Sequence, residues 1–161
     1  MDDWILDHRR LLGGQDSARP RVLPSRLADF VGDRVQAWRV GRETTRWYLD
    51  LYGPANREGW ARTQEEIRDM DRQMRKRGGR FLLASWPLLV DLEAYPFAAA
   101  DEAIARFCVD AAIPRVDLRA SLRGHTAESL WVHPVDHHPN EVAHRLAAEA
   151  LVPQVRALAP R

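Results

Sequence analysis

The feature that most constrains the fold is a short apolar run, Phe81-Leu82-Leu83-Ala84-Ser85-Trp86, set between Gly78-Gly79 and Pro87. It is too short for a helix, and its flanking Gly and Pro mark sharp ends. A run apolar at successive positions predicts a strand buried on both faces, as in a parallel sheet. Before it, Trp60, Ile67, Met70 and Met74 recur at helical spacing, predicting a helix over about 58–77 with these four facing inward. After it come a predicted helix over 99–112, with Ile104, Phe107, Cys108 and Ala111 on one face, and a second short strand over Ile113–Leu118. A last helix opens near Asn140, with Val142, Leu146, Ala147, Ala150 and Leu151 on its apolar side. The order α-β-α-β-α predicts an open α/β sheet with helices on its faces.

The first half is less ordered in pattern. Short helices are predicted over 2–12, 26–39 and 43–52, separated by Gly13-Gly14, by a polar loop holding Pro20 and Pro24, and by Gly53-Pro54. No second apolar β run occurs there, and two strands alone make a small sheet for this many helices.

The chain has 161 residues, a length that fits one domain spanning 1–161, and 45% hydrophobic residues. A net charge of +1 gives no global attraction to nucleic acid or anionic lipid. The Arg75-Lys76-Arg77 cluster is read as a helix-end cation group that complements the dipole. No apolar stretch reaches membrane-spanning length, and the acidic start Met1-Asp2-Asp3-Trp4 lacks a signal-peptide core, so a cytoplasmic location is expected. Cys108 is the single cysteine, so an intrachain disulfide is ruled out.

The chemistry concentrates in Val135-Asp136-His137-His138-Pro139-Asn140-Glu141-Val142-Ala143-His144. Asn140 is a strong candidate to cap the last helix. A carboxylate beside an imidazole fixes its tautomer and stabilises the imidazolium formed when it takes a proton, which is half of a device for activating a nucleophile. A second chemistry is open to the same residues: His133, His137, His138 and His144 with Asp136 are all competent zinc ligands, although their spacing fits no zinc signature.

The segment 60–151 resembles the C-terminal half of the SGNH, or GDSL-type, hydrolases. The resemblance is carried by the helix ending in Gly, the strand Phe81 to Pro87, the string Ile113-Pro114-Arg115-Val116-Asp117-Leu118, and above all Asp136-His137-His138-Pro139-Asn140, followed by His144. It implies a three-layer α/β/α, flavodoxin-like fold with a short parallel sheet, here incomplete. It implies a Ser-His-Asp mechanism on esters or acyl groups of carbohydrates, lipids or small molecules, with no cofactor. By position, Asp136 orients the imidazole and His138 is general acid and base; His137 is expected to face solvent. The family's Gly-Asp-Ser, Gly and Gly-x-Asn blocks have no counterpart here. Gly13-Gly14-Gln15-Asp16-Ser17 is the nearest string to the first, but it has one residue too many and follows no buried strand. The expectation is therefore a chain that begins after the parent fold's third strand, supplies Asp136 and His138 but not the serine, and exposes a sheet edge through which it can pair with a second copy. Two alternatives stand beside it: a non-catalytic remnant or binding module of the same half-fold, and a His-rich metal-binding protein.

Overall fold

The computed structural model describes residues 42–158. The helices expected over 2–12 and 26–39, and Ser17, lie outside those residues. The chain divides into two compact units, Met1–Gly59 and Trp60–Arg161. In the first, residues 42–50 are helical, and the expected break is a turn followed by a 3-10 turn over Pro54–Asn56. There the Trp47 and Tyr48 rings meet edge to face at 5.0 Å.

The long helix α1 runs Arg57–Lys76. Its outer surface is laced by pairs one turn apart, among them Arg62–Glu66 and Arg72–Asp69, each at 3.0 Å. Such exposed pairs contribute a few tenths of a kcal/mol each. Gly78 ends the helix with φ of +74°, a left-handed conformation that glycine adopts without strain, and Gly79 N–H donates back to the Met74 carbonyl at 2.9 Å. Trp60 and Ile67 face the core as expected, but Met70 and Met74 are 46% and 39% exposed. The reason is local. The most buried residue of that stretch is Asp71, whose carboxylate is held by the Arg75 guanidinium at 2.8 Å, and the Met74 methyl lies against Gly79 at the helix end.

Strand β1, Leu83–Ser85, pairs in parallel with β2, Arg115–Asp117, in the register Leu83 to Arg115 and Ser85 to Asp117. The crossover between them contains helix α2, Ala98–Asp110. The molecule thus mixes helices with a small parallel sheet, broadly the α/β character expected. Both strands are shorter than their apolar runs. Ala84 is exposed, not buried on both faces, because among the described residues β1 pairs only with β2. Two 3-10 turns, Leu118–Leu122 and Ala127–Leu130, lead to an antiparallel hairpin of β3, Trp131–His133, and β4, Asp136–Pro139. Helix α3, Glu141–Leu158, completes the described chain.

Among the described residues the core has two centres. Phe107, Cys108 and Ile113 pack with Trp60, Ile67, Phe81, Leu83 and Ile104, joining α1 and α2 to β1. Leu89, Leu92, Leu122, Leu130 and Ala143 form the other, with Trp131, Val142 and Leu146 against it. The second lies directly beneath the hairpin and the start of α3. No described helix is long and apolar enough to cross a membrane.

Candidate functional site

Asp136 and His138 lie on a strand, β4. Its sequence hides this, since Asp-His-His lacks the apolar alternation of a half-buried strand. Pairing with β3 matches Trp131 to Pro139 and His133 to Asp136, with an irregularity between Trp131 and His133.

Asn140 anchors the hairpin to α3. Its Oδ1 accepts from the backbone N–H groups of Val142 and Ala143 at 3.0 and 3.1 Å, the expected cap. Its Nδ2 donates to the carbonyls of Ser129 and Trp131 at 2.9 and 3.1 Å, and its backbone N–H donates to Leu130 at 2.8 Å. One residue thereby satisfies orphan donors of the helix and fixes the strand leading into the site.

Asp136 and His138 are brought together. His138 Nδ1 lies 2.5 Å from Asp136 Oδ1, and the same oxygen accepts the His138 backbone N–H at 3.1 Å. Those two hydrogen bonds, the imidazole's first, hold the Asp136 carboxyl below the usual carboxylate range. The pairing engages Nδ1 and leaves Nε2 without a hydrogen bond among the described residues. That is the arrangement in which an imidazole accepts a proton at Nε2 while a carboxylate steadies Nδ1–H. The pair is open: the His138 side chain is 85% exposed and that of Asp136 48%.

His137 is exposed, as expected, but its ring also has a partner. Its ring stacks on Trp131 with centroids 3.8 Å apart and planes 14° from parallel. Trp131 in turn donates its indole N–H to the Leu89 carbonyl at 2.8 Å. His144, in the first turn of α3, meets the ring of Trp86 at 5.3 Å. Trp86 follows β1 directly, so the start of α3 lies toward the carboxyl end of the parallel pair, the side on which open α/β sheets bind ligands.

The three described serines are committed elsewhere. The hydroxyls of Ser85, Ser121 and Ser129 each donate to a backbone carbonyl, and Ser85 also accepts from Arg115 Nε at 3.0 Å. None is hydrogen-bonded to His138. Among the described residues no group of three or more His, Cys, Asp or Glu is arranged to hold a metal ion. His133 Nδ1 instead faces the Val135 backbone N–H at 3.4 Å.

Tyr95 packs against the body. Its hydroxyl accepts from the Leu88 backbone N–H at 3.0 Å, and the Arg119 guanidinium lies 4.9 Å from its ring centre. Burial pushes its phenol up to about 12. Arg119 and Arg115 both approach Asp101, at 3.3 and 3.8 Å, and burial, then the nearby Asp117 charge, raises the Asp101 carboxyl. This network was not legible in the sequence, where its members are spread over 95–119. Asp117 makes a local bond, accepting from the Arg119 backbone N–H at 3.0 Å. A depression of about 450 Å³ lies elsewhere, lined by α2 and β2 residues such as Cys108, Val109 and Arg115, with no contribution from the hairpin.

Neither known protein families, curated proteins nor solved structures contain a match to this chain.

Proposed function

We propose that Asp136 and His138 are the acid–base pair of an SGNH-type ester or acyl hydrolase, acting on an alcohol nucleophile supplied by a serine outside residues 42–158. The observation that carries this reading is the 2.5 Å contact between His138 Nδ1 and Asp136 Oδ1, made immediately before a capped helix. In the reaction, Nε2 of His138 removes the serine proton as the hydroxyl attacks the acyl carbon, then returns it to the leaving alcohol. Water repeats the cycle on the acyl-enzyme and releases the acid. Asp136 keeps its charge throughout and stabilises the imidazolium. The substrate is an ester of a small molecule, carbohydrate or lipid, and no cofactor is required.

The test is turnover of an aryl acetate by protein expressed from the gene's complete reading frame. His138→Ala is expected to lower kcat by about three orders of magnitude or more. Undiminished turnover in His138→Ala contradicts the reading.

The 85% exposure of His138 favours a second reading, a binding module or catalytically silent remnant of the same half-fold. A reading frame that encodes no Gly-Asp-Ser strand ahead of this segment supports that alternative.

A further inference from the structure

We propose that His137 is the positioning residue of the Asp136–His138 pair, its stack on Trp131 fixing the face of β4 from which the two neighbouring side chains project; this rests on reading that pair as the acid and base of a hydrolase.

Successive side chains on a strand point to opposite faces, so residues 136 and 138 share one face and 137 takes the other. Whatever holds the residue-137 face therefore sets the direction of both members of the pair. The holding group is Trp131, 3.8 Å away and nearly parallel. That indole is itself immobilised, because its N–H donates to the carbonyl of Leu89, a residue only 4% exposed in the core centre beneath the hairpin. A chain of contacts thus runs from the buried leucines through Trp131 to His137.

The pair needs such a device because nothing buries it. Asp136, His137 and His138 are all exposed, as are Val132 and His133 on the partner strand. A two-stranded ribbon of this kind is marginal by itself in water and gains order only by packing on something larger. Asn140 fixes the end of β4, but the residues ahead of Pro139 are tied to the core through the ring stack. The adjacent imidazoles then have separate tasks. His138 pairs with the carboxylate, and His137 supplies a flat aromatic face. That second task does not require an imidazole, which makes the proposal testable by exchange of ring type.

The experiment follows the Asp136 carboxyl carbon by NMR through the acid range, in protein from the complete reading frame carrying His137→Ala or His137→Phe. Because His137 is exposed, neither change opens a cavity, and circular dichroism checks that the fold is kept. His137→Ala is expected to move the Asp136 midpoint upward by about half a pH unit or more, as the hydrogen bonds from His138 lose occupancy. His137→Phe keeps a stacking ring and is expected to restore the wild-type midpoint. Serine labelling by a fluorophosphonate should slow by about tenfold or more in His137→Ala and recover in His137→Phe. An unchanged Asp136 midpoint in His137→Ala overturns the positioning role, and so does an equal shift in both variants. Absence of any labelled serine in the wild type counts against the hydrolase reading alone, since the Asp136 titration reads positioning without turnover.

Discussion

Asn140 donates from Nδ2 to the carbonyl oxygen of Trp131 at 3.1 Å while its Oδ1 caps the last helix. The capping residue of α3 is therefore also a strut of the hairpin that carries Asp136 and His138. Asn140→Ala removes both functions and is expected to cost about 2 kcal/mol in urea denaturation, the upper end for loss of a cap. Asn140→Asp separates them. Aspartate is an equally good cap, but its carboxylate oxygens would face the Ser129 and Trp131 carbonyls where an N–H₂ now donates. It is expected to be destabilised as well; full stability of Asn140→Asp would show that the strut contributes nothing.

The acid–imidazole contact has a signature in pH. The folded-state Asp136 carboxyl is held below its ordinary value, so its pairing with His138 is present above about pH 4 and is lost as pH falls through the depressed folded value. An NMR titration should place the Asp136 midpoint below about 3.9 in the wild type, with a rise in His138→Ala. A midpoint at or above the ordinary value would mean that the contact is not held in solution.

Tyr95 gives the opposite sign at the other end of the scale. Its folded value of about 12 lies above the value near 10 of an exposed tyrosine. The unfolded chain therefore releases this proton first, and stability should fall from about pH 10 up to the folded value. Tyr95→Phe should flatten that alkaline limb in denaturation curves. At neutral pH the same change should cost about 1 kcal/mol, because the Leu88 N–H loses its acceptor.

The packing beneath the site can be tested by truncation. Leu122 and Leu130 are both fully buried. Leu130→Ala is expected to lose about 2–5 kcal/mol through transfer and cavity costs. Val109→Ala, at a position 79% exposed, should stay within about 0.5 kcal/mol of wild type and serves as the control.

Much of the architecture was legible from residues 57 onward because its signals are local. Gly78-Gly79 and Pro87 bracket the first strand, Asn140 announces the last helix, and the Trp60–Ile67 stripe marks the inner face of α1. Less legible were features that depend on which surfaces meet. Met70 and Met74 continue a helical stripe yet remain partly exposed, and Ala84 sits in an apolar run yet faces outward, because burial depends on neighbours that periodicity does not reveal. The Asp136–His138 contact was readable because its partners are two residues apart. The stack of His137 on Trp131 and the approach of Arg115 and Arg119 to Asp101 were not, since no spacing rule links those positions.

The proposed reaction depends on His138 serving as a base toward a serine, a role tested most directly by fluorophosphonate labelling of protein from the complete reading frame. It predicts one labelled serine in the wild type, with labelling slowed by about three orders of magnitude in His138→Ala while circular dichroism shows the fold retained. Labelling at the same rate in both proteins, or no labelled serine in the wild type, would contradict it.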